Sequence, residues 1–316
     1  METGKKEKKF ISLVVYLHNE EYQIVPFMEK IVPLIDTHFE DFELICVDDG
    51  CTDGTIEELK TYLEKNNLSV MVNIIHMSFH HGLESAMNAG RDLAIGDFIY
   101  EFDTVRIDYS PESIMQVYER LLEGYDIVAA GTTDRVRFTS RCFYRLYNKT
   151  SKGKGIIGPE TFRIVSRRAV NRIKSMGQYI PYRKAVYANC GLKMDVIYYR
   201  QEGESAGSKK VGTGERASLA LDSFIYFTNV MERLSLIASC IFLLITVGMG
   251  VYILWDFLMG ISIVEGWLST MTFLAFGFFG VFALLTIVLK YLSVLLNLIF
   301  KQQRYLISDI EKVVKE

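Results

Sequence analysis

The sequence predicts an α/β protein in which a mostly parallel sheet, covered by helices on both faces, is followed by two membrane-spanning helices. Apolar runs rich in Val, Ile and Leu alternate with helical segments from residue 11 onward, which is typical of a buried parallel sheet. Near the C-terminus, the segments from Leu234 to Trp255 and from Met271 to Leu289 carry no charged residue. At a rise of about 1.5 Å per residue, a helix of either length can cross a hydrocarbon core about 30 Å thick.

The predicted strands and helices follow one another along the first 131 residues. The apolar run at residues 11–17 is the first strand, and FELICVDDG, which comes after a helical stretch, is the second. The later predicted elements are a helix from Thr55 to Lys65, a strand from Val70 to Met77, a helix from Leu83 to Ala94, a strand from Phe98 to Phe102, a helix from Pro111 to Leu122 and the strand YDIVAAG.

Composition excludes several classes of protein. The 316 residues are 50% hydrophobic and carry a net charge of −3. A disordered chain, a disulfide-stapled miniprotein and a nucleic-acid binder with a strongly basic domain would each differ from this composition. The five cysteines form no CxxC pair, which suits reduced cytosolic thiols, and the basic first ten residues lack the apolar stretch of a secretory signal.

Basic residues predict the orientation of the chain in a cell membrane. No Lys or Arg lies between residues 256 and 270, whereas Arg233 precedes the first span and Lys290 follows the second. The positive-inside rule then places the head and both termini in the cytoplasm. The predicted segments are a basic tail (1–10), a head domain (11–213), a juxtamembrane amphipathic helix (214–233), a span (234–255), an extracytoplasmic loop (256–270), a second span (271–289) and an amphipathic basic tail (290–316).

Three polar clusters, HNEE, DDGCTDGT and DTV, follow predicted strands. In open α/β sheets a ligand binds outside the carboxyl ends of the strands, so the clusters predict a site there. Within DDGCTDGT, Asp48 and Asp49 end a strand and can accept hydrogen bonds from the base and ribose of a nucleotide, while Gly50 allows a tight turn. An Asx-rich turn without a ligand is the alternative interpretation.

The motifs VVYLHNEE, VDDGCTDGT and HHGLESAMNAGRDLAIGDFIYEFD occur in the order and spacing of family 2 inverting glycosyltransferases, and the chain resembles them over residues 11–112. The later segments RCFYRLYNK, ETFRIVSRRAV and YYRQEGES resemble the polyprenyl-phosphate branch, which includes dolichyl-phosphate mannose synthases and bacterial glucosyl-lipid synthases. The resemblance implies a GT-A fold for the head, a nucleotide-sugar donor and a lipid phosphate acceptor.

The same resemblance implies roles for individual residues. Asp103 takes the place of the first Asp of the DxD motif, where it would serve catalysis and bind Mg²⁺ or Mn²⁺, and Arg163 would contact a phosphate. The residues expected to bind the nucleotide are Tyr16, Asn19, Glu20, Asp48, Asp49, Asp53 and Asp97. The basic segment RVRFTSRCFYRLYNK places Arg137, Arg141 and Arg145 on one helical face, where they would bind the lipid phosphate or, alternatively, anionic headgroups in general.

Val105 departs from the family pattern because it replaces the second Asp of DxD, so that the sequence is DTV. Its side chain cannot coordinate the cation that usually stabilises a diphosphate leaving group. Three interpretations follow: Asp103 holds the metal with help from Glu101, Asp108 or water; Arg and Lys side chains neutralise the diphosphate without metal; or catalysis has been lost. Strand alternation argues against help from Glu101.

The sequence as a whole predicts a membrane-anchored, inverting transfer of a sugar from a nucleoside diphosphate, UDP in preference to GDP, to polyprenyl phosphate at the cytoplasmic face. Such a reaction contributes to cell-envelope polysaccharide synthesis. One alternative acceptor is a hydroxyl of a lipid-linked glycan or exopolysaccharide, with Asp108 as general base. A second alternative is a catalytically silent nucleotide-binding or scaffolding membrane protein. Gly248, Gly250, Gly277 and Gly280 would let the spans pack closely in a homo-oligomer.

Overall fold

A computed structural model describes residues 6–66, 70–132, 138–150, 155–176, 182–201, 266–300 and 305–313, and a few separate positions between 237 and 259. The chain divides into two compact units. The first, here called the sheet unit, contains residues 1–219 and 302–316, and the second, the helical unit, contains residues 220–301.

One eight-stranded sheet forms the centre of the sheet unit. Its strands are β1 (Ile11–Leu17), β2 (Phe42–Asp48), β3 (Met71–Met77), β4 (Phe98–Phe102), β5 (Ile127–Gly131), β6 (Phe162–Ser166), β7 (Met194–Tyr198) and β8 (Ile307–Val313). They lie in the order β7-β5-β6-β4-β1-β2-β3-β8. The pairs β1–β2, β2–β3, β1–β4 and β5–β7 are parallel, whereas β6 is antiparallel to both neighbours and β8 to β3. The predicted α/β class, the mostly parallel sheet and the first five strands are confirmed.

The helices of the sheet unit are α1 (Glu21–His38), α2 (Thr55–Asn66), α3 (Leu83–Leu93), α4 (Glu112–Leu122), α5 (Phe138–Thr150), α6 (Arg167–Ser175) and α7 (Arg183–Asn189). Helix α3 packs closely on the sheet at Gly90. A Cβ atom at this position would lie 2.4 Å from Val14 Cγ1 on β1 and 2.8 Å from Val47 Cγ2 on β2. Because interiors are close-packed, only glycine lets α3 approach the two strands so closely.

The C-terminal tail differs from the predicted amphipathic segment at 290–316. Helix α8 (Trp267–Phe300), in the helical unit, runs through Lys290 without a break, and β8 then joins the sheet unit beside β3. The backbone N–H of Ser78 donates to the Leu306 carbonyl at 3.0 Å. Strand β8 therefore covers an edge of β3 that would otherwise present unpaired backbone groups.

Only the second of the two predicted membrane spans lies fully within the described residues. Most of the first span and all of the juxtamembrane helix lie outside them, and the second span falls inside α8. Within the part of the chain that is described, no helix is both long and apolar enough to cross a membrane. Both spans and their orientation therefore stay predictions.

Candidate functional site

The loops after β1 and β2 interlock at the carboxyl edge of the sheet. The side chain of Asn19, whose φ is 55°, accepts a hydrogen bond of 2.7 Å from the Thr52 N–H. In the other direction, the backbone N–H of Glu20 donates to Thr55 Oγ1 at 2.8 Å. Asp53 Oδ1 accepts from the Thr55 N–H at 3.1 Å, at the start of α2. The two polar clusters predicted at this edge thus form one continuous surface.

Asp49 joins this surface to the loop after β3. Its side chain is fully buried and accepts hydrogen bonds from the backbone N–H groups of His81 (2.7 Å) and Gly82 (2.9 Å) and from the Tyr16 hydroxyl (3.0 Å). The φ of Gly82 is +85°, a region that favours glycine, and this conformation directs its N–H towards the carboxylate. The structure therefore brings Asp49 and Tyr16 together as predicted, with the Asp49 carboxylate turned into the protein.

Asp48 makes a second set of contacts, which reaches the C-terminal strand. Its Oδ1 accepts from the Cys51 N–H at 2.8 Å, and its Oδ2 lies 2.8 Å from His76 Nδ1. The other nitrogen of His76 lies 3.3 Å from the Glu311 carboxylate on β8. The chain that follows the helical unit thus supports the end of β2 through a histidine.

Two imidazole rings stack at the same edge. The rings of His18 and His80 are 4.2 Å apart between centroids, and the His80 side chain is half exposed. His18 comes from the loop after β1 and His80 from the loop after β3, so an exposed aromatic face lies beside the Asn19 and Glu20 loop. Aromatic faces of this kind can stack on a planar base.

Asp97 is not brought together with the other predicted nucleotide-binding residues. It immediately precedes β4 and so lies at the amino end of that strand, opposite the edge where Asp49 and Asp53 lie. There its Oδ2 accepts a hydrogen bond of 3.2 Å from the Phe10 N–H. The motif that contains Asp97 places it before the strand rather than after it, and the contact it makes connects two segments of the sheet unit.

Asp103, which follows β4, is held by two arginines. Its Oδ2 accepts from Arg163 Nη2 and its Oδ1 from Arg183 Nη2, each at 2.7 Å. The same guanidinium groups donate to Glu101 Oε2 at 2.9 and 2.8 Å. The Tyr187 hydroxyl donates to Glu101 Oε1 at 2.5 Å. Here these five residues are called the arginine clamp.

The charges of the arginine clamp stabilise one another. Burial alone would raise the pKa of the Asp103 carboxyl, but Arg163 and Arg183 offset this effect and hold the pKa below its ordinary value. Burial is offset in the same way at Glu101, whose pKa is lowered mainly by Arg183 and Arg163. Burial also raises the pKa of Tyr187, and the Glu101 charge adds to that shift. The clamp is therefore ionised at neutral pH, with its phenol protonated.

Arg163 was predicted to contact a phosphate, but the structure places it inside the clamp. Its side chain is fully buried, and its Nε also donates to Glu160 at 3.1 Å. Sequence reasoning missed Arg183 entirely. Its Nε binds Glu84, which lies 99 residues away in the chain, at 2.9 Å. A buried arginine whose partners are so distant in sequence has no local signal.

The residues of the DTV segment do not fit a divalent cation. Both oxygens of Asp103 already accept from guanidinium groups, and the Val105 side chain packs into the hydrophobic core with 1% exposure. Magnesium and manganese need several oxygen ligands around one point. Among the described residues, no three His, Cys, Asp or Glu side chains converge to form a metal site. Strand alternation had argued against Glu101 as a metal ligand beside Asp103, and Glu101 Oε2 instead accepts hydrogen bonds from the same two arginines.

Two charged residues after Val105 remain near this edge. Arg106 Nη2 lies 3.7 Å from Glu20 Oε2, and the Arg106 side chain is 28% exposed. Asp108 accepts hydrogen bonds of 2.8 Å from the Tyr199 hydroxyl and from Gln201 Nε2. Tyr199 and Gln201, which follow β7, therefore hold both carboxylate oxygens of Asp108, the residue predicted as the general base for a hydroxyl acceptor.

The predicted lipid-binding arginines lie partly within the described residues. Arg141 and Arg145 are exposed on α5, one helical turn apart, whereas Arg137 lies outside the described residues. On the same helix Tyr147 is buried, and its ring centroid lies 5.9 Å from that of Phe143. Helix α5 thus carries a buried tyrosine, which accepts a hydrogen bond from Asn189 Nδ2 at 2.9 Å, and two exposed arginines.

Comparison with known proteins places this geometry in context. A family model described as "Glycosyl transferase family 2" matches residues 12–174. The chain is 27% identical over 260 residues to an uncharacterised glycosyltransferase of Synechocystis, covering 76% of this chain and 80% of the relative. It is 30% identical over 230 residues to a prophage bactoprenol glucosyl transferase homolog of Escherichia coli, covering 71% and 74%.

A solved structure is similar to this chain in fold. Glucosyl-3-phosphoglycerate synthase of Mycobacterium tuberculosis, in complex with Mn²⁺, UDP and phosphoglyceric acid, superposes with a TM-score of 0.51 at 13% identity, covering 69% of this chain and 76% of that one. At this level of identity the likeness concerns the fold alone, and it agrees with the predicted GT-A architecture.

Proposed function

This chain belongs to glycosyl transferase family 2 and is a glycosyltransferase; from that membership we propose that it moves a sugar, with inversion, from a nucleoside diphosphate to polyprenyl phosphate. The observation that carries the proposal is the interlocked surface at the carboxyl edge of β1, β2 and β3, where Asn19, Glu20 and Asp53 meet. This is the edge at which open α/β sheets bind nucleotides.

The donor is proposed to bind across that surface. The half-exposed His80 ring, stacked on His18, offers a face for the base, and the polar groups of the Asn19 and Glu20 loop offer hydrogen bonds to the nucleoside. Asp48, Asp49 and Tyr16 support the loops from beneath through the contacts described above. UDP is the nucleotide that we favour over GDP.

The acceptor is proposed to be a lipid phosphate. Relatives of the chain carry the name bactoprenol glucosyl transferase, and Arg141 and Arg145 present exposed guanidinium groups that can each bind a phosphate with two hydrogen bonds. Arg137 belongs to the same proposed face. A phosphate acceptor is already an anion at neutral pH, so positioning and charge neutralisation can supply most of the catalysis without a strong base.

Attachment to a membrane follows from the acceptor. A polyprenyl chain resides in the bilayer, so an enzyme that uses it must work at the surface. We propose that residues 234–255 and 271–289 span the membrane, with the sheet unit and both termini on the cytoplasmic side, because the connector between them lacks Lys and Arg.

A hydroxyl acceptor on a lipid-linked glycan is the second candidate, and Asp108 favours it. A hydroxyl needs a general base, and the contacts of Tyr199 and Gln201 hold both oxygens of Asp108 in one orientation. Transfer to a hydroxyl would therefore require Asp108 as a base, whereas transfer to a phosphate would not.

The test is incubation of the purified full chain in lipid with a panel of radiolabelled UDP- and GDP-sugars. Each donor is offered with polyprenyl phosphate, with a lipid-linked glycan or with neither, and the organic extract is counted. The proposal expects label in the extract only with polyprenyl phosphate. Label that requires the glycan, and that disappears in Asp108→Asn, would establish the second candidate instead.

A further inference from the structure

Strand β8 reaches the edge of the sheet at which the donor is proposed to bind. Its pairing with β3 extends to Met77 and Ile307, at the carboxyl end of β3. Just before β8 begins, the Leu306 carbonyl accepts a hydrogen bond from the Ser78 N–H at 3.0 Å, and the Leu306 N–H donates to His81 Nε2 at 3.3 Å. The part of the chain that follows the helical unit is therefore bonded to the loop after β3.

That loop holds Asp49, one of the residues beneath the proposed donor surface. The backbone N–H of His81 donates to Asp49 Oδ1 at 2.7 Å, while the ring of the same residue accepts from Leu306. His81 Nδ1 lies 2.5 Å from the Phe79 carbonyl, an acceptor, which assigns the ring proton to Nδ1 and leaves Nε2 as the acceptor. A single residue thus connects β8 with Asp49.

His76 makes a second connection, between β8 and the turn after β2. Its Nδ1 lies 2.8 Å from Asp48 Oδ2, and its Nε2 lies 3.3 Å from the Glu311 carboxylate on β8. The other oxygen of Asp48 accepts from the Cys51 N–H at 2.8 Å and closes the turn. The orientation of the Asp48 carboxylate therefore depends on a ring that Glu311 holds from the opposite side.

The turn closed by Asp48 is part of the interlocked surface. The N–H of Thr52 donates to the Asn19 side chain at 2.7 Å. Gly50, in the same turn, has a φ of +70° and packs on the loop after β3, because a Cβ atom there would lie 3.2 Å from the backbone nitrogen of His80. A shift of this turn would therefore displace the Asn19 loop and the His80 loop together.

We propose that β8 is a positioning element of the donor site, and that Glu311 acts on the site through His76 and Asp48. The inference rests on the proposed function and adds to it residues that set donor affinity without touching the donor. Coupling between two binding events is reciprocal, so a strand whose docking favours donor binding must itself be stabilised by the donor.

Calorimetric titration of UDP and GDP into the purified full chain in detergent tests the inference. Glu311→Ala should weaken UDP binding by about fivefold or more, because the His76 ring loses one of its two hydrogen-bond partners. His76→Ala should weaken it at least as much. The double variant should bind UDP no more weakly than His76→Ala alone, since both residues act through Asp48. Additive losses in the double variant would contradict this route.

Lys60→Ala and Asp309→Ala are the matched controls. Lys60 is the other ion-pair partner of Glu311, at 2.8 Å, and Asp309 is an acidic residue of β8 whose Oδ1 accepts from the N–H of Ile310 in its own strand. Each variant should keep UDP affinity within about twofold of the wild type. If Lys60→Ala weakened UDP binding as much as Glu311→Ala, attachment of β8 to α2 would explain the loss and the role of His76 would be wrong.

Hydrogen exchange in the wild-type chain is a second measurement, which a purely structural role of β8 would not change. Saturating UDP should slow amide exchange across β8 by about fivefold, whereas β7, the strand at the opposite edge of the sheet, should exchange at an unchanged rate. Wild-type UDP affinity in Glu311→Ala, or exchange in β8 that UDP leaves unchanged, would overturn the inference alone. A wild-type chain that binds neither UDP nor GDP would overturn the proposed donor as well.

Discussion

Arg183 Nη2 donates to Asp103 Oδ1 at 2.7 Å, which connects helix α7 to the end of the central strand β4. The contact joins residues 80 positions apart in the chain. Because Arg163 holds the other oxygen of the same carboxylate, the acid that the family motif associates with a metal is here the centre of an internal ion cluster. The stability of the sheet unit therefore depends on Asp103.

Asp103→Asn should lower the free energy of unfolding by about 3 kcal/mol, because it leaves two buried guanidinium groups short of a counter-charge. Urea denaturation of the full chain in detergent, followed by circular dichroism, measures this change. Asp195→Asn is the control. Asp195 pairs with Arg120 at 2.6 Å, but the two side chains are 32% and 37% exposed. Loss of this exposed ion pair should lower the free energy of unfolding by less than about 1 kcal/mol. Equal losses in the two variants would contradict the account of the clamp.

The clamp also predicts a dependence on pH. The pKa values of Glu101 and Asp103 are lowered in the folded chain from ordinary values of 4.5 and 3.8. Their stabilisation is therefore complete above those ordinary values and is lost as the pH falls below them towards the folded-state values. The free energy of unfolding should fall between about pH 5 and pH 3, and less steeply in Asp103→Asn. Parallel curves for the wild type and the variant would count against the lowered pKa of Asp103.

Gly90→Ala should destabilise the sheet unit by about 1–3 kcal/mol, because the added methyl group would lie 2.4 Å from Val14 Cγ1. Gly277→Ala on α8 is the matched helical control, since among the described residues a Cβ atom there meets no neighbouring atom within 4 Å. Alanine is the better helix former, so the control should unfold at the same temperature as the wild type or higher. Thermal unfolding of both variants makes the comparison, and a Gly90→Ala chain as stable as the wild type would show that α3 can shift.

Replacing Arg141 and Arg145 together with alanine should reduce transfer to polyprenyl phosphate by about tenfold or more, because two exposed phosphate ligands are lost. UDP affinity should stay within about twofold of the wild type. Arg168→Ala with Arg172→Ala is the control, since these arginines are also exposed and one turn apart, on α6. Equal rates of sugar transfer by the two double variants would contradict the proposal that α5 binds the lipid phosphate.

Much of the fold was predictable because its signals are local. Strands β1 to β5 are apolar runs between turn residues, and the clusters around Asn19 and Asp53 follow strands that pair as neighbours. Strand β8 was predicted as part of a tail because its partner β3 lies more than 200 residues earlier, and its exposed, mixed residues resemble a solvated segment.

The site was predictable in its loops but not in its ion pairs. The motifs identified the edge of the sheet, whereas the partners of Asp103 come from β6 and α7 and depend on tertiary packing. Asp97 was grouped with the site because the family resemblance extends over its motif, yet it precedes β4 and lies at the other end of that strand. Arg163 was likewise predicted to contact a phosphate but is buried and paired with carboxylates. The sequence alone does not distinguish these two environments of an arginine.

Transfer of radiolabelled sugar to polyprenyl phosphate in excess EDTA tests the central claim most directly. The full chain in lipid is supplied with the donor and the lipid phosphate, and labelled lipid is extracted and counted with EDTA and with Mn²⁺. The account predicts labelled lipid in both conditions, at rates within about twofold, because the DTV segment does not fit a divalent cation. Label that appears only with Mn²⁺ would contradict the conclusion that the DTV segment does not fit a cation, and no labelled lipid from any donor in either condition would contradict the proposed reaction itself.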